Sequence, residues 1–170
     1  MRGLICFLVT ALVVLLLGCG GAGINGTAPR VYESADDLVA EARLGIPEIS
    51  ADELRTMLDN GDEFFLIDVR EPEEADTGAI DGSFLLPRGL LEFQIGDEDY
   101  WDTQGMFAPE KDEAIIIYSN RGYRGALATE ALITLGYPNV KNLTGGWIVW
   151  QYGPDALAVE EPKRESGGCG

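Results

Sequence analysis

Residues 115–125 read IIIYSNRGYRG: Ile115-Ile116-Ile117-Tyr118, then Ser119-Asn120-Arg121-Gly122-Tyr123-Arg124, then Gly125. The apolar run has no polar face, so it predicts a strand covered on both sides. It stops at a short polar loop, and the helix-forming ALATEALITL that follows (residues 126–135) ends at Gly136, which reads as a C-cap. A strand feeding a tight loop and then a helix N-terminus turns successive N–H groups toward one point. The helix dipole adds partial positive charge there, and the result is a nest for an anion. Gly122 permits the backbone angles of such a curl, and Arg124 can reach the same anion with a planar fork. Two loop arginines are otherwise explained by solvation or surface pairing. The strand–loop–helix context favours an anion-binding loop made of Ser119, Asn120, Arg121, Gly122, Tyr123 and Arg124.

Working outward, Phe64-Phe65-Leu66-Ile67-Asp68-Val69 is another doubly apolar run, interrupted by one acid. Ser83-Phe84-Leu85-Leu86 is a shorter one stopped by Pro87, and Val140-Lys141-Asn142-Leu143 is the last. Helical segments lie between them: Glu71 to about Asp76, Arg88 to Ile95, Gly125 to Leu135, and a final one beginning at Gly145-Gly146-Trp147. Ahead of the first strand, Ser34-Ala35-Asp36-Asp37 starts an amphipathic stretch. Ser50-Ala51-Asp52-Glu53 is a capping box for a second helix closed by Asn60-Gly61. Strands alternating with helices predict an α/β domain with a mostly parallel sheet of about five strands, covered by helices on both faces. Ligands in such sheets sit at the carboxyl ends of strands, where Ser119 is delivered. Residues 96–113, rich in Asp, Glu and Gly, read as an exposed loop. Asp68 and Arg70, at another strand end, read as a buried ion pair or turn hydrogen bond supporting the loop. Glu71, Glu73 and Glu74 read as an acidic first helical turn.

The chain has 170 residues and a net charge of −17, with no histidine and three cysteines. That charge argues against nucleic acid as a partner, because phosphates would be repelled. Without histidine the usual general base and the commonest metal ligand are both missing. Cys6, Cys19 and Cys169 are too far apart for a CxxC or zinc pattern. No cofactor and no metal site are expected.

The N-terminus, MRGLICFLVTALVVLLLG, places one arginine ahead of an apolar run, as in a signal peptide. The run is short for a membrane span, which needs about 20 residues. It ends at Leu16-Leu17-Gly18-Cys19, which resembles a bacterial lipobox. That resemblance implies cleavage before Cys19 and lipidation of its thiol. The chain is then expected in the cell envelope, lipid-anchored on the periplasmic side. Gly20 stands where an aspartate would resemble an inner-membrane retention signal, so the outer membrane is favoured. The expected organisation is a signal peptide at 1–18, a lipidated cysteine and flexible tether at 19–33, and a helical extension at 34–48. A folded domain at 49–152 and a disordered tail at 153–170 follow.

Two long stretches, FFLIDVREPEEADTGAIDGSFLLPRG and IIIYSNRGYRGALATEALITLGYPNVKNLTGGWIVWQ, together resemble the rhodanese-like family. The resemblance runs from about Ile49 to Gln151. It is carried by Asp68-Val69-Arg70-Glu71, Gly78-Ala79-Ile80 with Gly82, the strand–loop–helix, and Gly136-Tyr137 through Gly145-Gly146 to Trp150. It implies that sulfurtransferase members carry a cysteine at the position of Ser119, followed by four residues and an arginine, here Arg124. That cysteine takes sulfur from a donor such as thiosulfate and holds it as a persulfide. A histidine common in the family is Ala79 here, a change expected to affect packing more than chemistry.

Sulfur transfer needs a nucleophile that is an anion near neutral pH and can form an S–S bond. A thiol begins near pKa ~8.5 and drops at a helix N-terminus, whereas a serine hydroxyl stays protonated. Serine catalysis of another kind needs a base, and no histidine exists to serve. The expectation is therefore a rhodanese-like protein inactive in sulfur transfer. It keeps an anion-binding loop and acts as a binding or scaffolding module for a small oxyanion or an acidic group of an envelope protein. The competing expectation is an active thiosulfate or persulfide sulfurtransferase using a different nucleophile. A third is a purely structural acidic shell.

Overall fold

The computed structural model describes residues 30–158. The expected signal peptide, Cys19 and Cys169 lie outside the described residues. Five strands form one sheet in the order β1-β5-β4-β2-β3: β1 (Glu48–Ile49), β2 (Phe65–Asp68), β3 (Phe84–Leu85), β4 (Ile115–Tyr118) and β5 (Val140–Leu143). All neighbours pair in parallel, with Ile67 opposite Ile117 and Ile116 opposite Lys141. The α/β class and five-stranded parallel sheet agree with the reading from sequence.

Alternation along β4 explains the two-sided core. Side chains on a strand point to opposite faces in turn. Ile115 and Ile117 join one cluster with Ile67, Leu91, Ile95, Trp101, Leu132 and Tyr137. Ile116 and Tyr118 join the other with Leu54, Leu66, Ile80, Leu143 and Trp147. Helices α2 (Ala51–Asn60) and α7 (Gly146–Tyr152) therefore cover one face, and α4 (Leu91–Gln94), α5 (Glu98–Thr103) and α6 (Tyr123–Thr134) the other. Two further helices lie among the described residues, α1 (Ala35–Gly45) and α3 (Pro72–Ala75).

Local signals placed several ends correctly. Ser34 caps α1 by accepting from the Asp37 amide. Ser50 and Glu53 form a reciprocal capping box on α2, which closes on Gly61 at φ 71°. Gly136 follows α6 at φ 89°.

Two expectations are corrected, and a fifth strand is added to the four named from sequence. Residues 96–113 are not simply an exposed loop, for α5 lies within them and buries Trp101 completely. The Trp101 indole donates to the carbonyls of Gln94 and Ile95 at 3.1 Å each, and its ring meets Phe65, Phe84 and Tyr100 edge-on. One aromatic among many acids is enough to pin the segment, since burying such a ring stabilises by more than the acids oppose. The edge strand β1, too short to show a period, pairs with β5 and was not legible as a strand. Pro154–Ala158, assigned to a disordered tail, form a 3-10 turn whose Leu157 packs against Gly145.

Candidate functional site

Strand β4 ends at Tyr118, and Ser119 opens the loop that leads into α6. Ser119 is 1% exposed. Its hydroxyl oxygen accepts from the Gly125 amide at 3.2 Å, a donor in the first turn of α6 that has no partner within the helix. The loop's outward carbonyls are occupied as well. Ser119 accepts from Trp147 N–H at 2.9 Å and Asn120 from Ile148 N–H at 3.0 Å. The N-terminus of α7 thus holds the loop by its carbonyls. The amides of Gly122, Tyr123 and Arg124 have no acceptor among the described residues.

Two glycines make this fit possible. Gly122 caps α6 at φ 80°, in the left-handed region a side chain resists. Gly146 sits at φ 58°, and a Cβ there would collide with the carbonyl of Ser119 and the amide of Gly122. The Gly145-Gly146 pair therefore lets α7 approach the loop backbone directly.

Beneath the loop, Asp68 and Arg70 form the buried pair expected from sequence, each 1% exposed. Arg70 Nη2 lies 2.6 Å from Asp68 Oδ2, and Nε reaches both carboxylate oxygens at 3.0 Å. The same guanidinium donates to the carbonyls of Glu74 and Gly78 and stacks over Tyr118 and Trp147 at 5.4 and 4.9 Å. One side chain ties β2, α3, β4 and α7 together. Burial works most strongly against its charge, but the hydrogen bonds and charge of Asp68, together with Tyr118, more than offset it and raise its pKa. The Tyr118 hydroxyl, pushed up by burial, accepts from Ile80 N–H and bonds Ser83 Oγ.

Arg124 departs from expectation. Its two terminal nitrogens reach Glu74 Oε2 at 2.7 Å and Oε1 at 2.6 Å, so the fork is taken by a side chain of α3. The hydrogen bonds from Arg124 hold the Glu74 carboxyl below the usual range, and Glu74 in turn raises Arg124. Sequence reasoning gave Glu74 a helix-dipole role only. Its spacing of four residues from Arg70 is local, whereas its partner lies 50 residues away. Asn120 and Arg121 are half-buried at the loop's rim, and Tyr123 is 45% exposed. Arg43 of α1 lies over the Tyr123 ring at 5.5 Å, which anchors the outer side of the loop. No group of three or more His, Cys, Asp or Glu capable of holding a metal occurs among the described residues.

Residues 50–152 match the family profile of the rhodanese-like domain. Among curated proteins, a putative mitochondrial thiosulfate sulfurtransferase of Schizosaccharomyces pombe is 40% identical over 87 residues, covering 50% of this chain and 61% of that protein. The chain therefore spans only about three fifths of that relative's length. A human thiosulfate:glutathione sulfurtransferase is 34% identical over 110 residues, covering 62% of this chain and 94% of that protein. A solved human single-domain sulfurtransferase superposes with a TM-score of 0.56 at 30% identity, covering 69% of this chain and all (100%) of that one.

Proposed function

The chain belongs to the rhodanese-like domain family, and we propose that within it this protein binds rather than transfers. In this reading the loop Ser119–Arg124 holds a small oxyanion, or an acidic group of an envelope protein, without turning it over. One observation carries the proposal: the atom at the loop's base is the Ser119 hydroxyl oxygen, already accepting from Gly125 N–H. An oxygen held there cannot form the S–S bond that sulfur transfer requires. The hydroxyl can still donate its own proton, and the nearby amides of Gly122, Tyr123 and Arg124 have no acceptor among the described residues. The buried Asp68–Arg70 pair, with Arg70 over the Tyr118 ring, supports the strand end from which Ser119 departs.

The envelope setting belongs to the same proposal. It rests on the signal-peptide pattern and the lipobox-like Leu16-Leu17-Gly18-Cys19. A lipid on Cys19 would tether the domain on the periplasmic side, with the outer membrane favoured. Among the described residues, no helix is long and apolar enough to cross a membrane.

The names of the relatives favour a second reading, sulfur transfer through a nucleophile other than Ser119. A thiosulfate:cyanide assay on the full chain beside Ser119→Cys and Ser119→Ala separates the two. Binding without transfer predicts an inert wild type, an inert Ser119→Ala and measurable turnover in Ser119→Cys. Turnover by the wild type would remove the proposal. Persistence of that turnover in Ser119→Ala would point to a nucleophile elsewhere in the chain.

A further inference from the structure

At the opposite end of the sheet from the loop, a groove of about 610 Å3 opens where β2 and β4 begin. Its floor is apolar, made by Phe65, Phe84 and Met106, and its rim is acidic, made by Asp62, Glu63 and Glu113. A second depression shares Phe65, Met106 and Glu113 and extends the groove past Phe107 and Glu110. Phe107 is 83% exposed, and Asp62 and Glu63 are exposed too. No lysine or arginine lines either depression. Lys111, two residues before Glu113, is engaged elsewhere: its Nζ donates to the Leu135 carbonyl and sits 3.6 Å from the centre of the Tyr137 ring.

We propose that this groove is a docking site for a basic protein segment in which one bulky apolar side chain is flanked by lysine or arginine. Charge complementarity selects the occupant. The apolar floor accepts a single large side chain, and the carboxylates on either side attract cations that flank it. A second copy of this chain is a poor fit, because a net charge of −17 makes two copies repel and the acidic rim would face more acid. A purely apolar segment would leave the carboxylates of the rim partly desolvated without partners, at a cost. The floor itself is firm, since Phe65 and Phe84 both rest edge-on against the buried Trp101 ring. Roughly 16 Å of strand separates the groove from Ser119, so the two sites can be filled together.

The test uses the full chain and short synthetic peptides carrying a central phenylalanine, leucine or methionine between lysine pairs. Control sets replace lysine by glutamate, or the central residue by serine. Affinity is read by calorimetry at about 0.15 M salt, and location by amide shifts in NMR spectra. The lysine–apolar set is expected to bind at least about tenfold more tightly than either control set. Its shifts are expected on Phe64, Phe65, Met106 and Ala114, with affinity falling about tenfold in the Asp62→Lys/Glu63→Lys variant. Both positions are exposed, so that variant keeps the fold. The proposal is overturned if the glutamate or serine sets bind equally well, or if charge reversal leaves affinity unchanged. It is also overturned if the shifts gather at Ser119–Arg124, or if the chain alone self-associates through the groove.

Discussion

Arg124 and Glu74 form a two-pronged ion pair, 2.6 and 2.7 Å, across the lip of the loop. The contact fastens α3 to the first turn of α6. It also matches the charge of Arg124 with a carboxylate of the chain itself. If the proposed oxyanion site is real, Arg124 can reach its ligand only by leaving Glu74.

Replacing Glu74 by Gln leaves Arg124 without its charged partner while keeping the side chain's shape. If the loop holds oxyanions, the dissociation constants for sulfate and thiosulfate should fall roughly three- to tenfold. Titration followed by amide shifts of Gly122 to Arg124 measures this. An unchanged affinity would show that Arg124 takes no part in holding the ligand.

The same pair predicts an acid-side loss of stability. Glu74 has its pKa lowered in the folded chain from the ordinary 4.5, so the unfolded chain binds its proton more readily. The stabilisation is therefore complete above the unfolded value and disappears as pH falls through the lower folded one. Both side chains are about one-third exposed, so the effect should be modest, roughly 1 kcal/mol or less. Urea unfolding of wild type and Glu74→Gln from neutral pH down past that range should show the two profiles converging.

Ser119→Ala removes the acceptor for a buried amide. With Gly125 N–H left unpaired, the chain should lose about 1–3 kcal/mol of stability. Ser119→Cys keeps a weak acceptor and should lose less. Denaturant midpoints at constant slope distinguish this from a change in the unfolded state.

The buried pair below the loop should be far more sensitive. Arg70→Ala strands Asp68 without its counter-charge and should cost about 3–5 kcal/mol. The Asp68→Asn/Arg70→Met double variant should cost less than the sum of its single variants. Strict additivity in that cycle would mean that packing against Tyr118 and Trp147, rather than charge, holds Arg70 in place.

Much of the frame was legible because its signals are local. The apolar run at Ile115–Tyr118 reads as a two-faced strand, and Ser50 with Glu53 reads as a helix start. Asp68 and Arg70 lie two residues apart at a strand end, so their pairing needed no knowledge of the rest of the chain. Residues 96–113 were misread because acids dominate their composition, while the fold of that segment follows from a single indole. Trp101 is driven inward by its area and steadied by the carbonyls of Gln94 and Ile95.

The amino-acid sequence by itself determined the alternation of strands and helices, the position of the loop, and the oxygen that Ser119 places at its base, since these depend on residue type and short-range spacing. Only the tertiary structure decided that Arg124 spends its charge on Glu74, that α7 satisfies the loop's carbonyls, and that an acidic apolar groove forms at the far pole. Each of these joins side chains or backbone from distant parts of the chain. Such partners are chosen by which groups the packed sheet brings within hydrogen-bond reach, and no local pattern encodes that choice.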